Sequence, residues 1–281
     1  MHIPVLKNSF GFRLATTSYI IPEGFMKNIS FLGRYVDEIA LVLFDTGNEN
    51  NLPSKTEIRE MKGAAEEFNI TYNVHLPPDV FLGDPDPAVR EVALQRVLCF
   101  YDRTLPLGPV QYVLHLDRRG ADGRPLRDWD AFTANLLSSM DELIKGGLDA
   151  SSVSVENLDF PLQWVEPVVE EFGMNFCLDL GHLMYYCFDL KENIDAFLDR
   201  SPIVHLHGIA DGMDHKGAEN IDEASWGLIC DTLADYEGSV VLEVFSLEDL
   251  SAWLQKMEDL LEPSTKARAG QAPANPHGPF L

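Results

Sequence analysis

Short apolar runs alternate with longer stretches of helical periodicity from residue 12 to residue 261. The runs are Phe12–Thr17, Val36–Phe44, Ile70–Leu76, Val110–Leu116, Ser152–Glu156, Asn175–Leu180, Ile203–His207 and Ser239–Phe245. They are rich in Val, Ile and Leu and almost continuous, as strands covered on both faces are. Between them, helical spacing runs over Phe25–Tyr35, from Ser54 to Phe68, and over Ala88–Arg103, Trp129–Lys145, Leu162–Glu171, Ile194–Leu198, Glu223–Tyr236 and Leu247–Leu261. Ser54 with Glu57 three residues on predicts a capping box, and Asp84-Pro85-Asp86-Pro87 predicts a stiff turn into the third helix. Strand-helix units repeated through residues 1–262 predict an α/β chain folded as one (β/α)₈ barrel. A doubly wound sheet would more usually carry a Gly-x-Gly-x-x-Gly turn after its first strand, and none is present. From Pro263 to Leu281 large apolar residues almost vanish, which predicts a disordered tail.

The polar exceptions within these runs carry the chemistry. In a barrel, alternate strand residues point inward and reacting groups gather at the strands' C-terminal ends. There the third run has His75, the fourth His115, the fifth Glu156, the sixth Asp179, the seventh His205 and His207, and the eighth Glu243. His182 and the pair Asp214-His215 are expected on loops at the same rim, with Asp211 nearby. One histidine on an apolar strand is more often a satisfied core residue than a ligand. Six consecutive strands ending in His, Asp or Glu instead predict cations between them, since buried carboxylates are costly unless paired. Mixed imidazole and carboxylate donors suit Zn²⁺, Mn²⁺ or Fe²⁺, and the donors outnumber what one ion takes, so two or three ions are expected.

Charge narrows the substrate. There are 45 acidic and 21 basic residues, giving a net charge of −24, which disfavours a duplex nucleic acid partner. Arg118, Arg119, Arg124 and Arg127 crowd the loop after the fourth strand, either as a solvated loop or as a receptor for a substrate anion. Ser18 and Tyr19 sit at the rim after the first strand, where substrate contacts are expected. Tyr185, Tyr186 and Phe188 read as core, with a substrate wall as the alternative. Cys99, Cys177, Cys187 and Cys230 form no Cys-x-x-Cys pair and read as reduced core thiols, consistent with a cytoplasmic protein. Neither a secretory leader nor a membrane-spanning stretch is expected.

The order His75, His115, Glu156, Asp179-x-x-His182, His205, His215, Glu243 resembles the xylose-isomerase-like barrel superfamily, which includes endonuclease IV type nucleases and sugar isomerases or epimerases. Glu156, Asp179, His205 and Glu243 resemble the tetrad common to both branches. His75, His115 and His215 resemble the multi-zinc phosphodiesterase branch. The endonuclease IV pattern Asp-x-His differs from the adjacent Asp214-His215 here, so either Asp211 or Asp214 could be the corresponding aspartate. Ala15-Thr16-Thr17-Ser18-Tyr19-Ile20-Ile21-Pro22, Thr71-Tyr72-Asn73-Val74-His75-Leu76-Pro77, Cys177 to Leu183 and His205-Leu206-His207-Gly208 are similar to the cobamide-remodelling phosphodiesterases. That resemblance, over the chain to about residue 260, implies hydrolysis of the nucleotide-loop phosphodiester of a corrinoid. It implies two or three zinc or manganese ions on His75, His115, Glu156, Asp179, His182, His205, His215 and Glu243. Glu156, Asp179 and Glu243 are then the catalytic carboxylates, and His207 a ligand or a donor behind the ligands. A sugar isomerase or epimerase needs only the tetrad and is the principal alternative. An abasic-site nuclease conflicts with the charge, and a non-enzymatic corrinoid binder has no need of so complete a donor set.

Overall fold

The eight apolar runs form the eight parallel strands of a closed barrel, each paired with its neighbours in sequence and the last closing on the first. The structure, a computed structural model, describes residues 3–47 and 49–261; the tail expected over 263–281 lies outside the described residues. In chain order the elements are β1 (Arg13–Thr17), α1 (Phe25–Leu32), β2 (Glu38–Val42), α2 (Lys55–Phe68), β3 (Thr71–His75), α3 (Pro87–Thr104), β4 (Tyr112–Leu114) and α4 (Trp129–Lys145). There follow β5 (Val153–Glu156), α5 (Glu166–Phe172), β6 (Asn175–Asp179), α6 (Leu180–Tyr185), α7 (Leu190–Phe197) and β7 (Ile203–Leu206). The described residues finish with β8 (Gly208–Ala210), β9 (Met213–Lys216), α8 (Glu223–Leu233), β10 (Ser239–Leu242) and α9 (Leu247–Glu258).

Local chemistry sets the helix ends. Ser54 accepts a hydrogen bond from Glu57 N while Glu57 reaches back to Ser54 N, the capping box expected at α2. Asp86 caps α3, with Pro87 in its first turn. The stretch Leu162–Glu171 divides at Val165 into a 3₁₀ turn and α5, with Pro167 in the first turn of α5, where a missing N–H costs nothing. Helix α7 starts earlier than its apolar spacing suggests, because Asp189 caps it by accepting from Glu192 N.

Strand alternation sorts the barrel residues into two environments. Leu14, Ile39, Val74, Leu114, Val155, Leu178, Val204 and Leu242 join the continuous core shared with the helices. Ala15, Ala40, Val113, Cys177, Ile203 and Val241 pack together as a separate group inside the barrel. Each belongs to a strand that carries its His, Asp or Glu two residues further on, or borders one that does. The interior group is therefore an apolar floor beneath the mouth, and it keeps water from approaching the polar side chains from below.

The hairpin β8–β9 is an insertion that the reading of residues 211–215 as a loop overlooks. Ala210 pairs with Met213 across Asp211 and Gly212, both at positive φ. Asp-Gly is the sequence signature of such a two-residue turn.

Candidate metal centre

Glu156 stands at the centre of the mouth with 1% of its surface exposed. Its Oε2 lies 3.1 Å from His75 Nε2, 3.2 Å from His115 Nε2 and 3.6 Å from His205 Nδ1, and its Oε1 lies 3.2 Å from His182 Nδ1. Parallel pairing sets Asp179 directly beside His205. Glu243, one residue beyond β10, brings Oε2 to 2.9 Å from His205 Nδ1 and 3.5 Å from His215 Nε2. Among the described residues, ligand atoms within 4.8 Å of one another define three groups of donors that fit an ion: His75, His115, Glu156; Glu156, Asp179, His205, Glu243; and His182, His207, His215. A further combination, Glu156, Cys177 and His205, shares two members with the second.

The hydrogen bonds orient these donors towards one another. His75 Nδ1 lies 2.8 Å from Leu76 O and donates to it, so Nε2 is the atom left facing Glu156. His182 Nδ1 donates to Asn157 O at 3.0 Å, leaving Nε2 as its ligand atom. Asp179 divides its work: Oδ1 caps α6 by accepting from His182 N at 2.7 Å, while Oδ2 is buried with no hydrogen-bond partner. Glu156 Oε1, Glu243 Oε2, both ring nitrogens of His205 and His207 Nε2 are also buried without one. Some of these atoms approach oppositely charged neighbours closely, yet without the angles of a hydrogen bond. Buried polar atoms are otherwise almost always paired, and several converging at one mouth require a shared positive charge. The donor set fits divalent cations of the zinc and manganese class.

Imidazole protonation supplies that charge when no metal does. Burial pulls His182 down, but Asp179 and Glu156 outweigh it and hold the group at about 10. His215 is likewise held at about 9, against burial, by Glu243, Asp179 and Asp214. Burial would raise Glu156 and Glu243, yet the adjacent histidines, His205 first, keep both well below the usual carboxylate range. For His182 and His215 the folded values exceed the ordinary 6.5. Their protonation therefore stabilises the metal-free protein fully below about pH 6.5, and that contribution is lost as pH climbs through 9 to 10. Ligation requires neutral imidazole, so metal uptake at pH 7 expels protons. Apparent zinc affinity is expected to rise about tenfold per pH unit for each proton displaced, levelling above pH 9 to 10. Chelator-competition titrations at stepped pH measure this, and a flat profile between pH 6.5 and 8.5 would contradict it.

Of the remaining residues singled out in the sequence, His182 sits in α6 and His215 on β9 rather than on loops. His207, fully buried, stacks on His215 at 4.3 Å between ring centroids, and its Nε2 lies 3.3 Å from Asp179 Oδ1. Asp211 occupies the hairpin turn, whereas Asp214 Oδ1 lies 3.1 Å from His215 Nδ1. Arg118 binds Asp159 through two nitrogens and Arg119 binds Asp117 likewise, so both guanidinium groups are already matched by carboxylates. Ser18 Oγ accepts from Val42 N, and Tyr19 Oη accepts from Asn51 Nδ2. With Asn50, Asn51 and Leu52 these two line a cavity of about 310 Å³. Tyr186 is exposed rather than core, and Phe188 is half-buried. Cys177 alone is a buried thiol: Cys99 and Cys187 are exposed and Cys230 is half-buried, a correction to their reading as core residues. Both exposed cysteines lie on helical or turn segments that face outward, where apolar sequence neighbours do not guarantee burial.

Asn157 is the participant that the sequence reading misses. Its Nδ2 donates to Asp179 O at 2.9 Å, its Oδ1 accepts from Asp179 N at 2.6 Å, and its carbonyl receives His182 Nδ1–H. It thus fixes two donors on the neighbouring strand and helix. Its one signal in the sequence is its place directly after Glu156. Groups that orient metal ligands typically contribute ten- to hundredfold in affinity. Asn157→Ala is expected to weaken zinc binding by about that factor with the fold retained, as read by chelator competition and circular dichroism.

Comparison with known proteins places this geometry. The family model described as xylose isomerase-like TIM barrel matches residues 36–262. No protein of curated function matches the chain. Among solved structures, a D-tagatose 3-epimerase-like protein superposes with a TM-score of 0.72 at 16% identity, covering 89% of this chain and 97% of that one. A 3-keto-D-glucoside 4-epimerase from E. coli gives 0.66 at 16% identity, with 89% and 98% covered. Endonuclease IV from Thermus thermophilus gives 0.65 at 17% identity, with 89% and 99% covered. At these identities the likeness is one of fold.

Proposed function

The chain belongs to the xylose isomerase-like TIM barrel family, and from that premise we propose that it is a metal-dependent phosphodiesterase acting on the nucleotide loop of a cobamide. One observation carries the reading: three groups of donors, not one, converge on the same mouth, and Glu156 is common to two of them. The four-donor group Glu156, Asp179, His205 and Glu243 is complete in itself and is all that a sugar epimerase of this barrel would need. His75 and His115 would have no metal to hold in that chemistry, yet both approach the same centre, as do His182, His207 and His215. The stretches around Ser18, Asn73, Asp179 and His207 that resemble cobamide-remodelling phosphodiesterases supply the substrate.

Divalent ions, which these donors would hold, would neutralise phosphoryl charge and acidify water. The chain's own part is to orient and to move a proton. Glu156, more deeply buried than Glu243, fixes His75 and His115. Glu243, somewhat more exposed and with Oε2 unpartnered, is placed to take the proton of the attacking water. That proton then leaves with the alkoxide, so water and diester become a phosphomonoester and an alcohol. The apolar floor of Ala15, Ala40, Val113, Cys177, Ile203 and Val241 keeps bulk water from the opposite side. The net charge of −24 suits a small substrate better than a nucleic acid.

The test is to measure bound metal and to incubate the protein with adenosylcobalamin, with a chelator-treated sample as control. Release of the α-ribazole nucleoside, or of its phosphate, by the metal-loaded protein with two or more ions per chain is the expected result. One ion per chain, an intact corrinoid and interconversion of ketoses would instead assign the epimerase activity.

A further inference from the structure

The mouth has an aromatic edge on one side. Four rings run in sequence along it: Tyr186 to His182 at 5.8 Å between centroids, His182 to His215 at 5.5 Å, and His215 to Phe245 at 5.4 Å. The two in the middle belong to the donor group His182, His207, His215. The two at the ends are large and open to solvent, Tyr186 at 39% and Phe245 at 44% exposure. Scattered exposed apolar residues need no explanation, and Trp164, at 44%, is an ordinary case because its ring already packs on Trp129 and Phe160. Tyr186 also meets Tyr185 edge-on at 4.9 Å, but it and Phe245 differ from Trp164 in that each lies beside an imidazole that would hold a cation. A phosphate bound at that cation brings whatever it is esterified to onto one of these rings.

We propose that Tyr186 and Phe245, one at each end of this edge, offer stacking faces for a planar aromatic ring carried close to the scissile phosphate, the base of the nucleoside in the corrinoid reading. This rests on the phosphodiesterase assignment and adds to it a criterion of selection: diesters bearing a flat ring next to phosphate are preferred to those bearing saturated groups. Ring-on-ring contacts prefer offset or edge-on arrangements and add to the simple burial of area. Neither residue touches the reacting phosphorus, so both act on affinity rather than on the chemical step.

The experiment measures binding, not turnover. Zinc-loaded protein is titrated calorimetrically with phenylphosphonate and with methylphosphonate, which share the anion and differ in the ring. The wild type is expected to bind the phenyl compound about tenfold more tightly. In Tyr186→Ala and Phe245→Ala the ratio should shrink, and in the double variant it should fall to within about twofold of unity. Trp164→Ala should retain the wild-type ratio. Equal affinities in the wild type, or a ratio that survives in the double variant, would overturn the subsite. Both side chains are exposed, so melting curves should coincide; should a variant unfold, Tyr186→Leu and Phe245→Leu keep bulk while removing the ring. Failure to cleave adenosylcobalamin with the ratio intact would sink the corrinoid reading and leave the subsite standing.

Discussion

Glu156→Gln is expected to reduce corrinoid hydrolysis by at least about a thousandfold and to lower the bound metal by at least one ion per chain. The amide matches the carboxylate in shape, so the change is one of charge and donor capacity. Oε2 of Glu156 faces three imidazole nitrogens, of His75, His115 and His205, between 3.1 and 3.6 Å away, and Oε1 faces a fourth, of His182. A glutamine there presents one weaker oxygen and an NH₂ group that repels a cation, which damages two of the three donor groups at once. Metal ions in such sites stabilise the transition state by several kcal/mol, and a thousandfold loss corresponds to about 4 kcal/mol. The metal-free variant should melt somewhat below the metal-free wild type at pH 7, because His75, His182 and His205 lose a partner that raises them and with it part of the stabilisation that their protonation supplies. Elemental analysis and single-turnover assays read the two effects separately. Retained stoichiometry with unchanged turnover would remove Glu156 from the centre.

The strand ends were open to sequence reasoning because a buried strand has only one place for a carboxylate. Alternation at period two puts His75, Glu156, Asp179 and His205 on the inner face, and barrel closure brings those faces together. The barrel itself followed from the repeated strand-helix unit and the almost continuous apolar strands. What alternation does not encode is the path of the chain after each strand. His182 follows Asp179 into a helix because the aspartate caps it, and that cap leaves Asp179 Oδ2 free. A capping role and a ligand role are shared between the two oxygens of one side chain. His215 reaches the mouth through a hairpin whose turn residues, Asp211 and Gly212, carry a signal that proximity to a histidine obscures. Its own φ of 55° brings its backbone N–H to His207 Nδ1 at 3.1 Å. Asn157 and the exposure of Tyr186 and Phe245 depend on contacts between segments distant in sequence, which no local pattern records.

Gly181→Ala is expected to disable the third donor group while leaving the other two in place. A methyl group on Gly181 would lie 2.5 Å from the His207 ring, against Cγ, Cδ2 and Cε1 together. The ring has no free direction: it is fully buried, stacks on His215, receives the His215 N–H at Nδ1 and faces Asp179 Oδ1 with Nε2. Gly181 sits in α6 with ordinary helical φ, so alanine introduces no backbone strain and the whole effect is the collision. Overpacking of this kind typically costs about 1–3 kcal/mol, small enough for the barrel to survive. Displacing His207 moves the backbone of His215, and with it the ring that meets Glu243. The expected outcome is one fewer ion per chain and a loss of turnover of about a hundredfold or more, with zinc retained at His75, His115, His205 and the carboxylates. Gly227→Ala is the matched control, because a methyl at that position in α8 meets nothing within 4 Å; it should leave metal content and turnover unchanged and stabilise the helix by about 0.5–1 kcal/mol. Full stoichiometry and wild-type turnover in Gly181→Ala would show that His182, His207 and His215 hold no ion that hydrolysis needs. The centre would then reduce to the donors of an epimerase with two additional histidines beside them.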